Sequence, residues 1–167
     1  LHGSLAVEMA MKLAMKNRPG AGPFITLYDG YHGRSLATMA ASWPHLNDAF
    51  RPYWTNVARV PGANCYRCAL GLAPEQCQLA CATALRSAIR MGVNGKPAAV
   101  LMEPLQGNGG QVEFPIEYIR AVRRICDEEG VLLIWDEVQT GFGRMGTRFA
   151  ADYYGVTPDI LVFGKAV

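Results

Sequence analysis

Nowhere does the 167-residue sequence hold an uninterrupted apolar run of the roughly 18 residues that a membrane-spanning helix needs. No membrane partner is therefore expected. Neither sign of charge dominates: 16 Lys and Arg stand against 14 Asp and Glu, a formal net charge of +2. That excess is too small to point to nucleic acid or to a strongly acidic partner. There is no internal repeat and no low-complexity tract, so solenoids and compositional linkers are excluded. No secretory signal pattern precedes the first helical segment. Five cysteines without such a signal fit a reducing compartment, where thiols stay free or bind metal, and a cytoplasmic location is expected. The chain opens on Leu1 and stops two residues after a Gly164-Lys165 pair that follows an apolar strand. A buried strand needs neighbours on both faces, so the sequence is expected to be part of a longer protein.

What is present is ordinary globular material. Half of the residues are hydrophobic and 18% are charged, enough for one domain with a core. Residues 6–15 (AVEMAMKLAM) are strong helix formers with Ala6, Met9, Ala10 and Leu13 on one stripe. A short apolar run at 24–28 (FITLY) predicts a buried strand, and a glycine-bearing loop (DGYHGR) follows it. A helix is expected from Ser35, near its cap, to Ser42. Residues 43–64 read as irregular, broken by Pro44, Pro52 and Pro61. Further helices are predicted over 74–91 and 116–129. Strands are expected at 98–102 (AAVLM), 131–135 (VLLIW) and 160–163 (ILVF), with a loop, LQGNGG, after the first of these three. Helices alternating with apolar strands predict an α/β fold with a mostly parallel sheet.

Ligands of open α/β sheets collect outside the carboxyl ends of the strands. Three predicted strand ends carry charge: Glu103 after AAVLM, Asp136 after VLLIW, and Lys165 after ILVF across one glycine. Each alone reads as a helix cap or a structural ion pair. Three together, joined by glycine-rich loops, point to a ligand site, because an acid leaving an apolar strand is costly unless paired. A partly buried lysine is a nucleophile toward aldehydes. An aspartate opposite it suits a protonated pyridine nitrogen, the usual acidic partner of pyridoxal 5′-phosphate (PLP), and keeps the ring an electron sink.

The stretch LLIWDEVQTGFGRMGTRFAADYYGVTPDILVFGKAV resembles the cofactor signature of class III aminotransferases, with 29 positions from Asp136 to Lys165. This family includes ornithine, acetylornithine and 4-aminobutyrate aminotransferases. The resemblance runs from Gly3 to the C-terminus and covers less than half of a full member. It implies the large domain of the PLP fold type I scaffold, incomplete in this chain, with remaining strands and a C-terminal small domain absent. It implies a homodimer that moves an amino group from an amine or amino acid to a 2-oxo acid or aldehyde. Lys165 resembles the Schiff-base lysine and proton shuttle, and Asp136 the acid on the pyridine nitrogen. Gln139 matches the residue on the cofactor's 3′ oxygen and Val138 the apolar contact on one ring face. Tyr31, with His32 beside it in YDGYHGR, stands where the family places an aromatic on the other face. Arg34 matches an arginine that binds a substrate carboxylate in several members, and Glu103 is placed with it in a supporting role. Gly3 and Ser4 resemble the phosphate cradle, with backbone N–H groups at a helix N-terminus. The sequence departs from the family in having Leu1, His2 and Leu5 around that cradle. It departs again at Asn108, where ornithine- and 4-aminobutyrate-type members often carry Glu. Racemase, decarboxylase and aminomutase reactions on the same fold are the enzymatic alternative. By itself, residues 1–167 are expected to bind PLP weakly, without turnover, and to leave the apolar faces of VLLIW and ILVF with reduced cover.

Cys65 and Cys68, then Cys77 and Cys81, place four thiols within 17 residues. Read as a knuckle followed by an i, i+4 helical pair, they are candidates for zinc or an iron–sulfur cluster, and for a metal-binding module without catalysis. Read plainly, they are buried free cysteines. Cys126, inside an amphipathic helix, reads as core.

Overall fold

The computed structural model of the chain describes residues 2–43 and 56–165. Residues 44–55, part of the stretch expected to be irregular, lie outside the described residues. The elements in order are α1 (Gly3–Asn17), β1 (Phe24–Leu27), α2 (Leu36–Ala41), β2 (Val57–Val60), α3 (Ala80–Met91) and β3 (Ala99–Met102). They continue with β4 (Leu105–Gln106), β5 (Val112–Glu113), α4 (Ile116–Glu129), β6 (Leu132–Glu137), α5 (Ala150–Tyr154) and β7 (Ile160–Phe163).

Five strands form one parallel sheet in the order β2-β1-β3-β6-β7, and β4 and β5 form a small antiparallel ribbon. Successive side chains of a strand point to opposite faces, which explains why the strands read as uninterrupted apolar runs. Ile25, Leu27, Val100, Met102, Leu133 and Trp135 enter one core with Leu85 and Ile89 of α3 and Tyr118, Ile119, Val122 and Ile125 of α4. Phe24, Ala99, Leu101, Ile134 and Val162 enter the other, against Val7, Ala10, Met11 and Ala14 of α1. The mostly parallel, helix-flanked sheet is the architecture expected from the alternation of patterns.

Several local expectations are corrected. A strand, β2, lies inside the segment expected to be irregular; its half-buried VARV pairs along β1 at the sheet's edge. The helix expected over 74–91 starts only at Ala80, because Gln78 and Leu79 both take left-handed backbone (φ +44° and +56°) and break the helical path. The LQGNGG loop begins in the β4–β5 ribbon, and α5 occupies part of the stretch expected to be loop before β7. VLLIW does not have reduced cover: Leu133, Ile134 and Trp135 are fully buried, since β6 lies between β3 and β7 with helices on both faces. Among the described strands, it is the edge strand β7 that leaves a large apolar side chain, Phe163, substantially exposed.

Candidate functional site

All five strands of the main sheet run the same way, so their carboxyl ends share one edge. Met102 is in register with Trp135, which sets Glu103 beside Asp136, and Asp136 is in register with Val162, just before Gly164 and Lys165. Glu103 continues the parity of Ala99 and Leu101, and Asp136 that of Ile134, so both acids lean to the α1 side of the sheet. The loop after β1 brings Tyr31 and His32 to the same edge, and the first turn of α1 closes it. Together they surround a cleft of about 200 Å³ lined by His2, Gly3, Ser4, Tyr31, His32, Gly33, Glu103, Gly107, Asn108, Asp136, Val138, Gln139 and Lys165.

Asp136 is 4% exposed, and two donors hold its carboxylate: His32 Nδ1 at 2.9 Å from Oδ2, and the Val138 N–H at 3.1 Å from Oδ1. The ion-like pair fixes the His32 proton on Nδ1, leaving Nε2 buried with no hydrogen-bond partner among the described residues. A buried acid with donors on both oxygens is held in one orientation. Lys165 sits at φ +58°, a region non-glycine residues seldom occupy, and its Nζ donates to Gln139 Oε1. Strain of about 1 kcal/mol at such a residue persists only where the surroundings impose it.

The helix start is fitted to the cleft. Gly33 (φ +134°) crosses so close to α1 that a Cβ there would lie 2.2 Å from Ser4 Oγ. Ser4 Oγ in turn accepts the Arg34 N–H at 3.2 Å. A Cβ on Gly3 would lie 2.8 Å from Val138 Cγ1, so the turn approaches the β6 loop as backbone. First-turn amides of a helix have no carbonyl partner within it, which makes such a start a place for an anion. Arg34 itself is exposed, and its side chain is not among those lining the cleft. The structure thus gathers every expected site residue of the sheet edge and leaves Arg34 outside.

These residues fit PLP on the structure's own terms. A buried carboxylate, a strained lysine and a backbone-lined helix start open onto one cleft, and they match in kind a basic ring nitrogen, an aldehyde and a phosphate. A model of the class III aminotransferases matches residues 2–167.

The chain belongs to that family.

It is 35% identical to an adenosylmethionine-8-amino-7-oxononanoate aminotransferase of Geobacter sulfurreducens, over 99% of this chain and 38% of that protein. It is 36% identical to an acetylornithine aminotransferase of Methanocaldococcus jannaschii, over 99% of this chain and 38% of the relative. Among solved structures it resembles an amine transaminase from an uncultivated Pseudomonas species in the PLP-bound form, with TM-score 0.90, 32% identity, and coverage of 97% of this chain and 38% of the other. A thermostable (S)-enantioselective omega-transaminase from Thermomicrobium roseum gives TM-score 0.88 and 33% identity over 96% and 37%. The chain thus spans about 38% of the length of the first curated relatives. Membership of an aminotransferase family does not favour the racemase, decarboxylase and aminomutase alternatives.

The metal expectation is not supported. All four cysteines line one small cavity of about 20 Å³. Yet among the described residues no three His, Cys, Asp or Glu side chains are arranged to hold a metal ion. Cys77 precedes α3, so it does not stand one turn below Cys81 on a helix face. Metal ligands are thiolates, whereas the Cys65 and Cys77 thiols face the Ala63 and Pro74 carbonyls at 3.7 and 3.4 Å. Burial pushes the Cys81 thiol up to about 11. Cys126 is buried core, as expected.

Glu137 is a residue that sequence reasoning passed over. It lies on the opposite face from Asp136, with no exposed surface, and its Oε2 accepts from Thr140 Oγ1 (3.0 Å) and the Ala150 N–H (2.6 Å). Oε1 accepts the Ala151 N–H at 3.1 Å, so one carboxylate satisfies the start of α5. Burial nonetheless pushes its carboxyl above the usual range. Glu137→Ala would strand two amides and a hydroxyl in the interior. It is expected to cost about 3 kcal/mol, measured as a lower urea midpoint at unchanged slope. A midpoint equal to wild type would show that these donors find other partners.

Proposed function

We propose that the complete protein carrying this segment is a PLP-dependent transaminase, moving an amino group from an amine or amino acid to a 2-oxo acid or aldehyde. The observation that carries this reading is the meeting of Lys165, Asp136 and the α1 start in one cleft at the carboxyl edge of the sheet. When bound, PLP supplies the electron sink that makes the substrate's Cα proton removable.

The chain's own residues divide the remaining work. Lys165 Nζ would anchor the cofactor and would be the group that moves a proton at the reacting carbons. Its hydrogen bond to Gln139 Oε1 aims the amine. Asp136, held by His32 and the Val138 amide, presents a fixed negative charge to the ring nitrogen. Tyr31 and Val138 would flank the bound ring, and Gly3 and Ser4 would hold the phosphate through backbone amides and the Ser4 hydroxyl. The same reading makes the complete protein a cytoplasmic homodimer with small-molecule donors and acceptors as its partners. It assigns no part to nucleic acid or membrane, and no helix among the described residues is long and apolar enough to cross a membrane.

The test is a half-reaction. The complete protein, loaded with PLP and mixed with an amino donor alone, should convert one equivalent of cofactor to its amino form, read by the change in visible absorption. A 2-oxo acid should then restore the original spectrum. Binding of PLP with no spectral change under a broad panel of amines and amino acids would overturn the reading.

A further inference from the structure

Glu103 directly follows β3, beside Asp136 in the register, and is 5% exposed. No obligation of the fold puts a carboxylate there; the rest of β3 is apolar. Its oxygens are both used, and by backbone. Oε1 accepts the Tyr31 N–H at 2.8 Å and Oε2 the Gly107 N–H at 3.3 Å. Those amides belong to different loops, one after β1 and one between β4 and β5, and the loops bring Tyr31 and Asn108 to the cleft. A single side chain therefore ties together two segments that no strand pairing joins.

We propose that Glu103 is a positioning residue: its ionised carboxylate, by accepting the Tyr31 and Gly107 amides at once, fixes the aromatic wall of the cleft relative to the Asn108 loop, and protonation releases one of the two. Only the carboxylate does this, because a carboxylic acid turns one oxygen into a donor that cannot face an N–H. This deepens the site reading above and rests on it for its functional meaning, while the brace itself is a property of the folded chain.

The groups around Glu103 make the switch accessible. Burial raises its carboxyl, His32 from the β1 loop favours the ionised form, Asp136 on β6 opposes it, and the balance lies at about 7. The folded value is above the usual 4.5, so the folded state holds an extra proton between those two pH values. Stability from this group is therefore fully present at low pH and is lost as pH rises through about 7. The brace gains its second hydrogen bond over that same rise: order at the cleft increases while global stability declines.

Amide hydrogen exchange on the complete, cofactor-free protein tests this without any catalysis. In the wild type, protection of the Tyr31 and Gly107 amides, corrected for intrinsic exchange, should rise about tenfold from about pH 6 to about pH 8, the change expected for one hydrogen bond to a charged group. Glu103→Gln should hold the lower protection at both pH values, because its NH2 faces one of the amides. Glu103→Asp, one methylene shorter, should protect one amide and not the other. If Glu103→Gln fails to fold, the wild-type pH series and Glu103→Asp decide. Protection that does not change with pH or in either variant overturns the brace. So does unchanged protection with weakened PLP binding, which would make Glu103 a direct ligand contact. The expected exchange pattern in a protein that never takes up PLP would uphold the brace and remove the transaminase reading instead.

Discussion

Lys165→Ala is expected to abolish covalent capture of PLP and to lower turnover of the complete protein by at least about 10⁴-fold, the size expected when one residue supplies both nucleophile and proton carrier. The loss should come without unfolding. Lys165 is exposed, and among the described residues its side chain bonds Gln139, so truncation leaves no interior void. Thermal midpoints of the two proteins should agree within a few degrees. Borohydride reduction followed by mass spectrometry of the peptide containing residue 165 is the direct measurement. The wild type should carry the cofactor mass there and the variant should carry none. A reduced adduct on any other lysine, with turnover intact, would displace Lys165 from its role.

Asp136→Asn should damage the rate less than the loss of Lys165 but still severely, and it separates charge from shape. Asn keeps an acceptor for the Val138 amide, and it offers its NH2 to His32 if that ring moves its proton from Nδ1 to Nε2. Because Nε2 is buried without a partner, the exchange exposes no new unsatisfied group beyond the one already there. The fold should therefore survive with a loss of about 1 kcal/mol, while the negative charge facing the cleft disappears. Turnover is expected to fall by about 10²–10³-fold, the usual cost of removing one preorganised electrostatic contact. Cofactor should still bind through Lys165, so the variant's borohydride adduct is the internal control. Turnover within threefold of wild type would make Asp136 a structural acid like its neighbour Glu137.

That comparison shows where sequence reading reaches its limit. Asp136 and Glu137 are adjacent acids ending the same apolar run. The family signature assigned the first to the cofactor but left the second without a part. In the structure the difference is geometric: strand parity sends Asp136 to the α1 side and the cleft, and Glu137 to the start of α5. The pairing of His32 with Asp136 spans 104 positions, and no local pattern announces it. Arg34 shows the converse. Its motif was legible, but motifs do not state direction, and its side chain stays outside the cleft.

The sequence by itself determined the α/β class, four of the five strands of the main sheet, the family, and the chemical identity of the sheet-edge residues. Those properties reside in short-range patterns: apolar runs, helical stripes, and acids or a lysine placed just past a strand. Tertiary structure alone decided the rest. It set β2 at the sheet's edge, where half-buried VARV gains stability only by pairing with β1, and it started α3 late, where two left-handed residues break the helix. It turned the Cys65 and Cys77 thiols to backbone carbonyls, and it linked two loops through Glu103. Each depends on contacts between segments far apart in the chain, whose free energy outweighs local propensity and is not written in any single stretch of sequence.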